Sequence, residues 1–588
     1  MNFKLMETTT KVLESPPKQP VQTITGSEAV IRSLIYEEVD TIFGYPGGAI
    51  MPIYDELFKY DNQIGHILTR HEQGAVHAAQ GYSRASGKVG VCFATSGPGA
   101  TNLITGIADA QVDSTAIVCI TGQVPSALLG TNAFQETDII GISMPVTKWN
   151  FQVTCAEEIP EAIARAFYIA RTGRPGPVLV DITKDAQFGS IDFTYEKCKG
   201  IRSYQPVPDQ DADAIREAAQ LINMAKRPYI LAGHGVLLSG ASHELLKLAE
   251  TAQLPVANTL LGLSSFPSDL PLNVGMLGMH GNYGPNILTN ECDVLIAVGM
   301  RFDDRVTGDL MRYARQAKVI HIEIDPSEID KNVKADIPLL GDAKSILHAL
   351  NEMIQPNMHD EWLKKFERCK EIETEKIIKN DILPETGEIK MGEVVHLISH
   401  LTKGDAIMVT DVGQHQMMAA RYYNFKYSDS LITSGGLGTM GFALPAACGA
   451  KIAVPEKQVI AVIGDGGIQM TIQELGTIMQ YHVNVKVVIL NNTFLGMVRQ
   501  WQQLFFEKRY SSTELVNPDF AAIASGYGIR SARVDNRDRL SEALREMLDH
   551  EGSYLLEIAV ESEENIFPMI PSGAAVSDIL LGKENNHG

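Results

Sequence analysis

Short aliphatic runs that stop at a glycine or an acidic residue, each followed by a helical pattern, recur in three separate stretches of this chain. The first holds TIFG before Tyr45-Pro46-Gly47-Gly48, ILT before a helical pattern near Glu72, and VGVCFAT before Ser96-Gly97-Pro98-Gly99. AIVCITG and PVLVDIT complete it. The second holds RPYILAGHG, DVLIAVG and KVIHIEID; the third holds DAIMVTDVG, QVIAVIGDGG, VKVVILNN and YLLEIAV. This alternation predicts parallel sheets with helices on both faces. The expected fold is α/β, with three doubly wound parallel-sheet domains at about 23–191, 212–350 and 389–570. The length agrees, since 588 residues exceed the roughly 250–300 at which a single core stops growing. SIDFTYEKCKGIRSYQPVPDQDAD reads as a linker, and the Lys/Glu-rich stretch 351–388 as a connector.

Several functions are disfavoured by composition. The formal charge is −21, with 50 Lys+Arg against 71 Asp+Glu. Nucleic-acid affinity comes largely from cations on phosphates, so no nucleic-acid partner is expected. No apolar run reaches the roughly 18 residues of a membrane span. The seven cysteines show neither metal-ligand nor redox-motif spacing, which suits reduced thiols. Residues 1–22 read as a frayed tail without the apolar core of a secretion signal. They contain Glu and no Arg, unlike a transit peptide.

The strongest chemical signal is one βαβ unit. VIAVIG ends in Gly464-Asp465-Gly466-Gly467, a helical pattern follows, and VKVVIL ends in Asn491-Asn492. A right-handed crossover brings the two strand ends together. Asp465 and Asn492 then point into one crevice, and open parallel sheets bind ligands there. A carboxylate and an amide oxygen are hard ligands of the kind Mg²⁺ takes beside phosphate oxygens. Glycines and a helix start favour an anion. An isolated GDGG could equally be a tight turn with an Asp cap; the paired Asn disfavours that.

This pattern resembles the diphosphate-binding motif of thiamine-diphosphate enzymes. The resemblance implies metal ligation by Asp465, Asn492 and the main-chain carbonyl of Phe494. Gly413-Gln414-His415 is similar to the family's second diphosphate contact. Gly438, Met440 and Gly441 match the segment around the pyrimidine, with Met440 as the prop that bends the cofactor. Glu72, in Arg70-His71-Glu72-Gln73-Gly74-Ala75, alone reads as a first-turn carboxylate favoured by the helix dipole. The resemblance makes it the group that bonds the pyrimidine nitrogen, so that the cofactor deprotonates itself. In that family Glu72 comes from one subunit and the metal site from another. The expected assembly is therefore a homodimer, or a dimer of dimers, with active sites at the interface.

Further motifs are similar to acetohydroxyacid synthases, and the likeness runs from about Gly26 to Ser572. GMHG, GMRFDDRV and RPGPVLVDITKD match segments that line an FAD site with no redox step. Carried over, Arg174, Gly233, Gly235, His280, Gly281, Arg301, Glu323, Asp325 and Asp342 would contact the flavin. From the residues alone, Glu323 or Asp325 could bind a ribose or cap a helix. Asp304 and Arg305 fall at the mouth of the family's substrate channel. Phe134 and Gln135 (GTNAFQE) are similar to the family's active-site pair, and Lys184 (ITKD) is a cation available to the keto-acid carboxylate or to the flavin region. LGMVRQWQ supplies Met497, Val498 and Trp501, and in the family this Trp helps select 2-ketobutyrate. An aromatic on an amphipathic helix is otherwise ordinary core.

The resemblance implies that pyruvate is decarboxylated and joined to a second pyruvate or to 2-ketobutyrate. The cofactors would be thiamine diphosphate, Mg²⁺ and FAD, and a separate small regulatory subunit is expected. The setting would be the bacterial cytoplasm, or a plastid stroma if the gene is plastid-encoded. Decarboxylases of the fold usually show an adjacent His-His pair, absent here, and glyoxylate carboligases lack the Glu found at 72. Pyruvate oxidases, which also bind both cofactors, are the nearest alternative. A catalytically silent paralogue is disfavoured by Glu72, Asp465 and Asn492.

Overall fold

The computed structural model describes residues 22–582. The expected tail at 1–22 lies outside the described residues, except Gln22. That residue opens β1 (Gln22–Thr25), which pairs antiparallel with β8 (Ser190–Phe193), so the first part of the expected linker is a strand.

Three six-stranded, all-parallel sheets make up the rest. The first contains β2 (Thr41–Gly44), β3 (Gly65–Leu68), β4 (Gly90–Ala94), β5 (Ile117–Gln123), β6 (Trp149–Val153) and β7 (Pro177–Thr183), in the order β3-β2-β4-β5-β7-β6. The third contains β15 (Ile407–Thr410), β16 (Leu431–Thr433), β17 (Val459–Gly464), β18 (Val485–Asn491), β19 (Arg530–Val534) and β20 (Tyr554–Ala559). Its order, β16-β15-β17-β18-β20-β19, is the same path through the sheet. The middle sheet differs. Its strands β9 (Pro228–Ala232), β10 (Val256–Asn258), β11 (Asn273–Met276), β12 (Val294–Val298), β13 (Lys318–Glu323) and β14 (Ile337–Leu340) run β11-β10-β9-β12-β13-β14. That is the strand order of dinucleotide-binding folds.

Each sheet separates two apolar layers. In β4, Val91 and Phe93 enter one core while Cys92 and Ala94 enter the other. Central strands buried on both faces run almost entirely apolar, which is why VIAVIG and VKVVIL contain so little alternation; the exception, Lys486, is buried with its Nζ donating to the carbonyls of His550 and Gly552.

The first and third domains of one chain meet through the helices Glu72–Ser86 and Ala443–Ala453. A Cβ on Gly81 would strike the carbonyl of Ala446, and one on Gly449 the carbonyl of Ala78. Small residues here let two backbones touch. The polar connector is also docked: its helix Asp360–Glu373 buries Trp362 and Phe366, and the Trp362 indole donates to the carbonyl of Pro228 at 2.8 Å. Among the described residues no helix is long and apolar enough to cross a membrane. All seven cysteines are free.

Candidate active site

The third sheet changes direction between β15 and β17, and the loops leaving those strands carry Gly413-Gln414-His415 and Gly464-Asp465. The His415 ring lies against both glycines; a Cβ on either Gly413 or Gly464 would come within 2.9 Å of it. Burial brings its pKa down to about 4, so the ring is neutral, and its Nε2 has no hydrogen-bond partner among the described residues. An orphaned, buried ring nitrogen of this kind suits a ligand at the crevice.

Asp465 opens the helix Asp465–Thr471 and is 1% exposed. Desolvation raises its pKa to about 6, opposed by the Asn517 amide and the backbone N–H groups of Asn492 and Thr493. Asn517 Nδ2 donates to Asp465 at 2.7 Å and to Asn491 Oδ1 at 3.0 Å. The expected meeting of Asp465 with the end of β18 therefore occurs. Asn492 Oδ1 accepts the Phe494 amide at 3.1 Å, and its Nδ2 donates to Gln414 Oε1 at 3.3 Å. One buried carboxylate, one amide oxygen and nearby backbone carbonyls could hold a small hard cation. The glycines of GDGG leave room for specific neighbours: Leu495 at Gly466, and the Asp411 carboxylate at Gly467.

Sequence reasoning missed the groups that hold the Ser434–Gly441 loop, which carries Gly438 and Met440. Two carboxylates on the first-domain helix Ile104–Asp113 grip it. Asp113 accepts the amides of Gly435 and Gly436, while Asp109 accepts the hydroxyls of Ser434 and Thr439. Arg84 donates to the carbonyl of Thr433 at 2.6 Å. At the loop's far end, Asp411 accepts the amides of Gly441 and Ala443. Burial lifts the pKa of Asp113 and of Asp411 to about 6. The i, i+4 spacing of Asp109 and Asp113 on an apolar helix was the available signal, but exposed helix faces show it too.

A cavity of about 1020 Å³ lies where the three domains meet. Arg174, Gly235, His280, Arg301, Glu323 and Asp342 line it, as do Asp304 and Arg305. Gly413, Gly438, Met440, Met497, Val498 and Trp501 line it as well, so expected flavin and thiamine positions share one space. Ligand pockets usually run to roughly 300–1,000 Å³, which puts this one at the large end. Gly233, Gly281 and Asp325 do not line it. The Gly233 and Gly235 amides donate to the carbonyls of Val298 and Gly299, which packs together the loops after β9 and β12 at the middle sheet's switch point. Asp325 pairs with Arg174 at 3.3 Å and caps a short turn through Ser327. Asp342 caps the helix Ala343–Asn351 through Ser345. Buried Glu323 accepts the amides of Ile324 and Asp325, and desolvation raises its pKa to about 7. His280 is held through its carbonyl, and Gly281 likewise, by Arg421, whose guanidinium is paired with buried Glu373 at 2.6 Å.

The remaining candidates sit at the carboxyl end of the first sheet. Glu72 is 9% exposed and accepts from Asn102 Nδ2 at 3.0 Å, with Gly99 beside it. Gln135 has φ 58°, and its backbone lies against Gly97. Phe134 is 88% exposed. Lys184 opens the short helix Lys184–Phe188 after β7 and makes no ion pair among the described residues. None of Glu72, Phe134, Gln135 and Lys184 lines the cavity that Met440 and Trp501 line.

Three family models match, one on each sheet: the N-terminal TPP binding domain at 24–142, the central domain at 215–350 and the C-terminal TPP binding domain at 411–558. All three describe thiamine pyrophosphate enzymes, the class that this fold and crevice define. A probable acetolactate synthase large subunit of Methanocaldococcus jannaschii is 48% identical over 564 residues, covering 94% of this chain and 95% of its own length. The acetolactate synthase isozyme 2 large subunit of Escherichia coli is 45% identical over 562 residues, covering 95% and 99%. The large subunit of Lactococcus lactis is 44% identical over 561 residues, covering 95% and 96%. The chain belongs to the acetolactate synthase large-subunit family of thiamine pyrophosphate enzymes.

Proposed function

We propose that this chain decarboxylates pyruvate and condenses the two-carbon unit with a second pyruvate or with 2-ketobutyrate. The products are 2-acetolactate and 2-aceto-2-hydroxybutyrate, precursors of valine, leucine and isoleucine. The observation that carries this reading is Asp465 and Asn492 at the ends of the neighbouring strands β17 and β18, with Asn492 bonded to Gln414 of the β15 loop across the switch point, beside a cavity that runs on to Trp501.

When bound, thiamine diphosphate supplies a nucleophilic carbon for the keto-acid carbonyl and stores the electron pair left by CO₂. The chain's residues bind and orient it. Asp465, Asn492 and the Phe494 carbonyl hold Mg²⁺, and Gly413, Gln414, His415, Gly464, Gly466 and Gly467 surround the diphosphate. Gly438 and Met440 shape the pyrimidine pocket, and Glu72 handles the proton at the pyrimidine nitrogen. Met497 contacts the thiamine diphosphate, and Trp501, with Phe134, Gln135 and Lys184, forms the substrate space. The flavin contacts would be Arg174, Gly235, His280, Arg301, Glu323 and Asp342 on the cavity wall, with Gly233, Gly281 and Asp325 just behind it, and the FAD would serve no redox step. The cavity volume and its wall of Arg174, Arg301 and Glu323 support a dinucleotide there.

A homodimer, or a dimer of dimers, would bring Glu72 of one chain to the cavity of another. The absence of Glu72 from the cavity wall of its own chain and the exposure of Phe134 favour this. The relatives' "large subunit" names favour a separate small regulatory subunit. The bacterial cytoplasm is the setting proposed, or a plastid stroma for a plastid gene. The test is incubation with pyruvate, Mg²⁺, thiamine diphosphate and FAD under nitrogen. Acetolactate should accumulate without an electron acceptor. No acetolactate under nitrogen, with acetyl phosphate and peroxide formed once air and inorganic phosphate are supplied, would replace the synthase reading with an oxidase one.

A further inference from the structure

Three buried side-chain amides form a chain that ends on Asn492. Gln500 is 0% exposed, Gln414 1% and Asn492 3%. At the far end the partners are main-chain groups, whose polarity is fixed. The Ile566 N–H donates to Gln500 Oε1 at 2.8 Å, and Gln500 Nε2 donates to the Ile566 carbonyl at 3.1 Å. Gln500 Oε1 then faces Gln414 and accepts from its Nε2 at 3.0 Å. The same Nε2 donates to the carbonyl of Glu564 at 2.8 Å. Gln414 Oε1 must therefore face Asn492 and accept from its Nδ2, while Asn492 Oδ1 is turned the other way and accepts the Phe494 N–H at 3.1 Å, a second main-chain group that favours the same orientation.

An amide has a donor end and an acceptor end of nearly equal size. Only the oxygen ligates a cation; an NH₂ group presented instead repels it. We propose that Gln500 and Gln414 are positioning residues: the backbone of 564–566 writes a polarity that passes through both to the Asn492 NH₂ and, together with the Phe494 N–H on its oxygen, holds that oxygen, not the NH₂, toward the cation. Gly496 bears on this independently. A Cβ there would strike Gln414 Oε1 and lie 2.6 Å from Asn492 Nδ2, so glycine at this position keeps the last link open. Gln414 thereby gains a role besides any contact with diphosphate. The inference rests on the proposed Mg²⁺ site at Asp465 and Asn492.

The test is calorimetric titration of full-length apoprotein with Mg²⁺ at saturating thiamine diphosphate, together with kcat at saturating Mg²⁺. Gln500→Met should weaken Mg²⁺ binding about 10–100-fold, the range for groups that orient metal ligands, while kcat at saturation stays near that of the parent. Gly496→Ala should do the same should Gln500→Met fail to fold. Asn492→Asp supplies the decisive comparison, because a carboxylate has oxygen at both ends. In that background Gln500→Met should cost no Mg²⁺ affinity, a non-additivity that general loosening of the fold would not produce. Unchanged Mg²⁺ affinity in Gln500→Met and Gly496→Ala, or an equal loss in the Asn492→Asp background, would overturn the proposal. If the parent protein bound no Mg²⁺, or bound it undiminished after Asp465→Ala, the metal-site reading itself would fail.

Discussion

The carboxylate of Asp113 accepts the backbone amides of Gly435 and Gly436 at 2.8 and 2.7 Å, the first of them 322 residues further along the chain. With Arg84 at 3.7 Å, it fixes a third-domain loop from the first domain. Asp113→Ala leaves two amides and a buried guanidinium without their shared acceptor. The expected loss is about 3–5 kcal/mol, the range for breaking a buried ion pair. Urea unfolding measures it. Asp113→Asn keeps one acceptor oxygen and should lose less. Equal losses would place the effect in packing and not in the hydrogen bonds.

His77 yields a pH prediction. It is fully buried between Gln80 and the Phe442 ring, and desolvation lowers its pKa from 6.5 to about 3. The folded state keeps it neutral while the unfolded chain protonates it, so its contribution is complete above pH 6.5 and fades as pH falls. The slope approaches 1.4 kcal/mol per pH unit below about pH 5.5. Buried carboxylates with raised pKa, such as Asp411, act in the opposite direction. The quantity to measure is therefore the difference between parent and His77→Gln. Urea midpoints from pH 4 to 7 should show the variant losing less stability on acidification.

Glu72→Gln keeps the shape of the side chain and removes its charge. The proton step it serves is worth about 10²–10⁴ in rate, so kcat should fall by that factor while thiamine diphosphate still binds. Steady-state kinetics with a parallel cofactor titration checks both. Near-parental turnover would return Glu72 to a helix-start role.

Trp501 has one side on the cavity and the other on the cluster of Ile377, Phe567 and Met569, with its ring 5.0 Å from that of Phe505. Trp501→Leu shortens the cavity-facing side. The preference for 2-ketobutyrate over pyruvate as second substrate should drop by about tenfold, as expected for a change of one or two methylene contacts. Competition assays with product analysis measure the ratio. An unchanged ratio together with a lower unfolding temperature would assign the ring to the core alone.

The central strands and the Asp465–Asn492 pair were legible because burial on both faces forces unbroken aliphatic runs, and because strand ends concentrate glycine and acid. The edge strands β6 and β19 were not. β6 is half-exposed, and β19 reads RSARV, a charged sequence without the apolar run that marks a buried strand. Asn517, which bridges Asp465 and Asn491, sits in a loop whose sequence has no motif. Gln500 and Asp113 escaped for a related reason. Their significance lies in which distant backbone groups they meet, and a linear pattern does not record that.

The contact between the helices Glu72–Ser86 and Ala443–Ala453 is reciprocal in register. Gly449 and Gly81 differ by 368 positions (449 − 81), as do Ala446 and Ala78 (446 − 78), and each glycine meets the other pair's alanine carbonyl. Self-complementary contact of that kind is the signature of a two-fold axis. Here it relates two halves of one covalent chain that trace the same route through their sheets. The chain thus carries an internal pseudo-dimer. The same offset maps Glu72, which opens its helix, onto Met440, three residues before its own, so equivalent stations at the starts of the paired helices have diverged to a carboxylate in one half and a thioether in the other.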